Sequence, residues 1–271
     1  MGTINSELRK VFTLKWWWIL CLVLALVAAG IVALNAWQYD SLLSDPALEE
    51  TRNSGQIPGL DDPRTMIESV YRSPLMFGYL LAFTGGALVA GNETAHKTWT
   101  ATFTAVPRRW SVLGGKAVAA VVVALLTGLT HLVVAVGFGA ALTGVFDALE
   151  PFPEPAQLAV TLGTFVVAHV LWALLGLGLA LLTNSTLATV IIGFVATLIG
   201  DNVIAGLAFA FDWVGDVARY LPGPVTGALT RSDAGGVWDP LEPWAGGLAL
   251  AAYAAVALLL GGLRRARKDV D

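Results

Sequence analysis

Long apolar runs separated by short polar segments are the dominant pattern in this sequence. Six runs are rich in Leu, Val, Ala and Gly and carry almost no charge: residues 16–36, 74–90, 111–142, 157–182, 187–202 and 243–263. A helix needs roughly 20 apolar residues to cross a bilayer, which is about the length of most of these runs. The pattern therefore predicts an all-α polytopic membrane protein with six transmembrane helices.

Two shorter segments complete this prediction. Residues 3–15 place Ile4, Leu8, Val11 and Phe12 on one face of a helix, which is typical of an interfacial helix lying along a membrane. Residues 203–224 begin with nine apolar residues, too few to cross a ~30 Å hydrocarbon core at 1.5 Å per residue. They therefore predict a re-entrant element before the last span.

The polar connections predict an orientation. Residues 37–73 form a long connection with more acidic than basic side chains, as expected of an extracytoplasmic loop. Basic residues gather near span ends on the side that holds the termini: Arg9, Lys10, Lys15, Lys97, Arg108, Arg109, Lys116, Arg264, Arg265, Arg267 and Lys268. The positive-inside rule then predicts that both termini are cytosolic. The membrane expected to hold the protein is the cytoplasmic (inner) cell membrane.

Composition agrees with a membrane protein, since 56% of residues are hydrophobic and only 13% are charged. The net charge of −4 is segregated by side rather than gathered in a basic patch, so no nucleic-acid partner is expected. The single cysteine, Cys21, lies within the first apolar run and has no cysteine partner. A small buried side chain is its expected role, and no metal site is predicted.

The most informative polar stretch is residues 91–110, between the second and third runs. Glu93 is predicted in the first turn of a short helix, where a carboxylate complements free backbone amides. Pro107 is predicted to end that helix, because proline lacks an N–H and disfavours helical geometry before it. Arg108 and Arg109 follow, and Lys116 lies further along the third run. The segment therefore predicts a short amphipathic helix held at the membrane surface by two spans.

This stretch resembles the cytosolic coupling loop of permease subunits in the ABC-2 type family of ATP-driven transporters. The matching positions are an acidic residue, a Thr/Ala-rich run, a Pro-Arg-Arg element and a lysine at the next span: Glu93, Thr94, Lys97, Thr98, Thr100, Pro107, Arg108, Arg109 and Lys116. The six spans, the interfacial helix and the re-entrant element are also similar to that family.

The resemblance implies a permease subunit of an ABC exporter that forms the translocation pathway together with a second permease copy or a homologous permease. It assigns ATPase coupling to Glu93, Thr94, His96, Lys97, Thr98, Arg108 and Arg109. Gly114-Gly115-Lys116 lacks the spacing of a P-loop, and the chain has no soluble segment large enough for an ATPase domain. ATP and Mg are therefore expected in a separate ATPase subunit, with no cofactor and no catalytic residue in this chain.

Four polar residues lie at predicted membrane depth, namely His131, His169, Asp201 and Asn202. Such residues are functional candidates by default, because ionisable groups are costly in lipid. For the two histidines, neutral rings that bond to neighbouring helices are the alternative to a proton relay. For Asp201, a structural contact with Arg219 or the re-entrant segment is favoured over substrate contact.

Two other functions stay open at this point. The long acidic loop is also compatible with an ATP-independent membrane protein for binding or immunity. An intramembrane hydrolase is less favoured, because the sequence has no HExxH, GxSxG or GxGD-type motif. The resemblance does not identify the cargo.

Overall fold

The protein is a bundle of long helices that connect through short helices and turns. The computed structural model describes residues 2–48, 63–106, 108–143, 145, 155–232 and 239–267. Within those ranges the regular structure is helical, and six helices are long and apolar enough to cross a membrane. The prediction of an all-α polytopic membrane protein is thereby confirmed.

We number the six spans in chain order. Their bounds are Trp16–Ser44, Glu68–Ala95, Arg109–Leu142, Ala159–Thr183, Thr186–Ala210 and Pro243–Arg267. Span 2 consists of a first helix that ends at Arg72 and a second helix, Leu75–Ala95, with a turn at Ser73 and Pro74 between them. Proline removes a backbone donor, which accounts for the break at that point.

Spans 2 and 4 form the centre of the bundle, and small residues let their backbones approach closely. A Cβ added to Gly86 of span 2 would overlap the carbonyl oxygen of Ala173 in span 4. A Cβ added to Gly176 would likewise overlap the carbonyl oxygen of Phe83. Glycine at these positions replaces side-chain packing by direct backbone contact, as is common between transmembrane helices.

Span 1 is longer than predicted, because its helix continues to Ser44 instead of ending near residue 36. The extra turns have a packing reason: Tyr39 and Leu43 lie against a buried cluster that includes Val70 and Tyr71 at the start of span 2. The predicted loop 37–73 therefore begins as helix and ends as the Pro63–Arg72 helix. Residues 49–62 lie outside the described residues.

Span 5 also differs from its prediction. A π-helical turn, Ala196–Gly200, joins Thr186–Val195 to Asp201–Ala210, so the apolar residues from 203 to 210 extend the span. The segment predicted at 203–224 is thus divided. Two short helices, Asp212–Ala218 and Pro222–Thr230, follow the span. The second is buried from Pro224 to Thr230, as expected of an element that enters the bundle.

The N-terminal helix, Gly2–Thr13, confirms the predicted helix at residues 3–15 and packs against the start of span 3. It lies at the end of the bundle that also carries Glu93 and Arg265, which we call the Glu93 face. The other end carries the start of spans 2, 4 and 6, and we call it the Arg72 face.

Candidate functional site

Four charged side chains form a closed ring on the Glu93 face. The ammonium of Lys10 lies 2.5 Å from Glu7 Oε1 and 2.6 Å from Glu93 Oε1. The ammonium of Lys116 lies 2.8 Å from Glu7 Oε2 and 2.9 Å from Glu93 Oε2. Acids and bases therefore alternate around the ring, and their formal charges cancel. We call these four residues the ion ring.

The ion ring ties three elements together while most of it is buried. Glu7 belongs to the N-terminal helix, Glu93 to the last turn of span 2 and Lys116 to span 3, and each is at most 3% exposed. A buried charge is strongly unfavourable without partners, and removal of one member of such a set leaves another uncompensated. Lys116 has two further contacts, the Val89 carbonyl at 3.2 Å and the Trp99 ring at 5.2 Å.

Lys10 is the member of the ring nearest to solvent, since 38% of its side chain is exposed. Burial favours the neutral form of its ammonium, but hydrogen bonds to Glu7 and Glu93 outweigh this effect and raise the pKa of Lys10. Its ammonium donates to both carboxylates, which hold it against the bundle.

The short helix Trp99–Ala105, which we call the connecting helix, lies between Glu93 and Lys116 in sequence and beside the ring in space. Its Thr102 hydroxyl donates a hydrogen bond to Glu93 Oε1 at 3.0 Å, and its Trp99 and Phe103 side chains are buried. The opposite side is exposed to solvent, with Thr100, Ala101, Thr104 and Ala105 on the surface. One side of the connecting helix is therefore anchored and the other is free to contact a partner.

The end of span 6 joins the same site through Arg265. This guanidinium bonds to the side-chain oxygen of Asn184, in the turn between spans 4 and 5, and to Thr94 Oγ1 at 3.2 Å. It also lies over the Trp99 ring, 4.4 Å from its centroid. Trp99 Nε1 donates to the same Thr94 hydroxyl at 3.0 Å. Spans 2, 4 and 6 are thus linked to the connecting helix.

Glu93 does not lie where the sequence placed it. The prediction put this residue in the first turn of a short helix, whereas it occupies the last turn of span 2 and faces the bundle. Span 2 ends at Ala95 in a Schellman arrangement: Thr98 N–H donates to the Glu93 carbonyl at 3.0 Å and Lys97 N–H to the Thr94 carbonyl at 3.4 Å. Lys97 accordingly has a left-handed backbone with a φ of 53°.

The remaining residues assigned by resemblance fall into two groups. His96, Lys97, Thr98 and Arg108 are exposed. Arg109 is half-buried; it donates to the Ala266 carbonyl at 2.7 Å and lies over the Phe103 ring. The connecting helix ends at Ala105, and Pro107, the predicted stop, lies outside the described residues.

Glu7, Trp99, Thr102, Asn184 and Arg265 belong to the site although the sequence analysis did not assign them to it. One of them did carry a signal in the sequence. Glu7 is four residues before Val11, so it lies on the apolar face of the N-terminal helix, where a lone carboxylate needs a cationic partner.

The two intramembrane histidines lie side by side in the bundle. His131 Nδ1 is 3.3 Å from His169 Nε2, and both side chains are fully buried. His169 Nδ1 lies 2.7 Å from the Phe165 carbonyl, which only accepts, so this nitrogen carries a proton. In a neutral ring Nε2 of His169 is then the acceptor and His131 Nδ1 the donor. The geometry fits two neutral histidines that bond to each other.

Asp201 lies in span 5. Its carboxylate occupies the space that a Cβ at Gly223 would need, in the first turn of the buried helix Pro222–Thr230. A carboxylate at this end of a helix complements the free backbone amides. Of the two partners favoured from sequence, the structure therefore places Asp201 beside the re-entrant segment. Asn202 is exposed and donates to the Leu198 carbonyl of its own helix at 2.8 Å.

No protein-family model matches this chain, and no curated protein matches it. Function is therefore inferred from the residues, their geometry and the resemblance of residues 91–110.

Proposed function

We propose that this chain is the permease subunit of an ATP-driven ABC exporter and that a separate ATPase subunit binds the exposed side of the connecting helix. The observation that carries the proposal is the two-sided construction of that helix. Its outer side offers small residues, two threonines and two alanines, to a partner, while Trp99 and Thr102 attach its inner side to the bundle.

The attachments give a displacement of the connecting helix several routes into the membrane. Thr102 bonds to Glu93 in span 2, which pairs with Lys116 in span 3. Trp99 lies under Arg265 in span 6. Buried charges keep their partners when an element moves, because separation would leave them uncompensated. In this proposal, closure of the ATPase subunits pushes on the connecting helix and tilts these spans together.

The partner surface is expected to be acidic. Lys97 and Arg108 are exposed on either side of the connecting helix, and neither forms an ion pair with a described residue. Complementary charge aligns partners and speeds their association. The partner would hold ATP and Mg, and two permease copies with two ATPase subunits would form the working exporter. The Glu93 face would then be the cytosolic face of an inner cell membrane.

Copurification from the native membrane, followed by mass spectrometry of the bound proteins, tests this proposal. The informative variant is Thr104→Arg, which adds bulk and charge to the exposed side of the connecting helix. The matched control is Thr13→Arg, because both threonines are exposed and each donates to the carbonyl four residues earlier.

We expect an ATPase subunit to copurify with the unaltered protein and with the Thr13→Arg variant, and to be lost from Thr104→Arg. Absence of any ATPase from the unaltered protein would overturn the exporter proposal and favour an ATP-independent function. An ATPase that stays bound to Thr104→Arg would place its docking surface elsewhere.

A further inference from the structure

A polar cavity of about 550 Å³ lies between spans 1, 2 and 5 and the buried helix Pro222–Thr230. Its polar lining is dominated by hydrogen-bond donors: Asn35, Ser69, Arg72, Ser73, Arg231 and Ser232. It adjoins the Arg72 face, at the opposite end of the bundle from the ion ring. None of its lining residues belongs to the site proposed for ATPase binding.

Two arginines, Arg72 and Arg231, line this cavity, and within the described part of the chain only Arg72 has a carboxylate partner. Arg72 pairs with Glu68 at 2.8 Å and donates to the Arg231 backbone carbonyl at 2.8 Å. The side chain of Arg231 forms no ion pair with any residue that the structure describes. Arg231 also lines two neighbouring cavities of about 420 and 440 Å³. Among the described residues, the Arg231 guanidinium is thus without a carboxylate partner at the position that all three cavities share.

The backbone of Arg231 is held in an unusual conformation. It follows the last residue of the Pro222–Thr230 helix with a φ of 54°, in the left-handed region. Residues other than Gly, Asn and Asp rarely adopt this backbone region, and they keep it only where neighbouring contacts hold the backbone there. The Arg72 hydrogen bond to its carbonyl is one such constraint. Two further bonds, from Ser232 N–H to the Gly227 carbonyl at 2.9 Å and from Arg231 N–H to the Ala228 carbonyl at 3.2 Å, form the same Schellman arrangement as at Lys97. This helix end therefore fixes the backbone from which the Arg231 side chain extends.

The rest of the cavity lining is acidic or apolar rather than rich in donors. Asp201 supplies a carboxylate, and Leu75, Met76 and Tyr79 of span 2 supply apolar surface. A ligand that fits all three parts carries an oxyanion, a nearby donor group and an alkyl portion. A tetrahedral phosphate has enough oxygens for two guanidinium groups and several hydroxyls, and arginine binds phosphate through two parallel hydrogen bonds.

We propose that this cavity binds a phosphate ester, with Arg231 and Arg72 holding the phosphate and Asp201 accepting from an ammonium or hydroxyl beside it. The ester is either the headgroup of a lipid-like amphiphile or a free phosphorylated solute, since both present the same group. The site is independent of the exporter proposal, and its test needs no ATPase.

The test is native mass spectrometry of the purified, delipidated protein in detergent. Three probes are titrated: dioctanoyl phosphatidylethanolamine, dioctanoylglycerol with the same chains and no phosphate, and free phosphoethanolamine. The test variant is Arg231→Gln. The matched control is Arg219→Gln, because Arg219 precedes the same helix, lies over the Tyr220 ring and does not line the cavity.

We expect the phospholipid to bind at least about tenfold more tightly than dioctanoylglycerol, because charge-assisted hydrogen bonds to arginine depend on the phosphate. Arg231→Gln should abolish this preference and Arg219→Gln should retain it. Phosphoethanolamine that binds as tightly as the phospholipid would assign the site to a free solute. Equal binding of the phospholipid and dioctanoylglycerol, or a preference unchanged in Arg231→Gln, would overturn the proposal.

Discussion

The ammonium of Lys116 lies 2.9 Å from the carboxylate of Glu93, and neither side chain is exposed by more than 3%. The two residues come from consecutive spans, and the second carboxylate on Lys116, that of Glu7, comes from the N-terminal helix. Lys116 is thus the member of the ion ring with the least access to water. Replacing its charge should be more damaging than replacing that of Lys10 on the other side of the ring.

Lys116→Met should lower the free energy of unfolding by about 3–5 kcal/mol, because it leaves two buried carboxylates with one ammonium. Lys10→Met also leaves these carboxylates with one ammonium, but it should cost less, since 38% of the Lys10 side chain is exposed and water can reach the position that it leaves. Thermal unfolding of both variants in the same detergent gives the comparison. If the two variants lose the same stability, the greater burial of Lys116 does not make its ion pairs more important than those of Lys10.

The raised pKa of Lys10 predicts a dependence on alkaline pH. A raised folded-state pKa means that the Lys10 ion pairs stabilise the protein fully below the unfolded pKa of lysine. This contribution is lost as the pH rises through the folded-state pKa. The difference in melting temperature between the unaltered protein and Lys10→Met should therefore shrink between about pH 10 and the onset of alkaline unfolding. If the difference in melting temperature instead grows over this pH range, the pKa of Lys10 is not raised in the folded protein.

Thr102→Val should loosen the connecting helix without unfolding the bundle. The valine keeps the shape of threonine but removes the hydrogen bond to the Glu93 carboxylate, and a bond to a charged group is worth about 1.5–3 kcal/mol. Amide hydrogen exchange in residues 99–105 should then be at least about tenfold faster, which corresponds to the lower end of that loss of local stability. Thr104→Val is the control, because the Thr104 hydroxyl bonds only to its own helix on the exposed side. If residues 99–105 exchange at the same rate in the two variants, the Thr102 hydrogen bond does not attach the connecting helix to span 2.

Gly86→Ala should be more destabilising than Gly137→Ala, although both replace glycine within a span. A methyl group at Gly86 meets the backbone of Ala173, which cannot move without separating spans 2 and 4. Overpacking of this kind costs about 1–3 kcal/mol. Nothing lies within 4 Å of a Cβ at Gly137, so alanine there should be neutral or slightly stabilising. Melting temperatures of the two variants test the difference.

The sequence predicted the number and order of the spans well, because apolar length is a local property of the chain. The end of span 2 shows why finer features were missed. Polarity begins at Asn92, but the helix continues to Ala95 because Lys10 and Lys116, from distant parts of the chain, neutralise Glu93. The same reasoning applies to the histidine pair, since residues 131 and 169 become neighbours only when spans 3 and 4 pack.

Lys97 has a backbone role and an exposed charge, and two substitutions separate them. Lys97→Gly should raise the melting temperature by about 2–4 °C, because glycine adopts the left-handed conformation without the cost of about 1 kcal/mol that a side chain brings. Lys97→Gln keeps the side-chain stem and should leave the melting temperature unchanged. If the exposed ammonium contacts an acidic ATPase, as proposed, both variants should retain less ATPase in copurification. A stable Lys97→Gly variant with undiminished ATPase would limit Lys97 to ending span 2 and would exclude its charge from the docking surface.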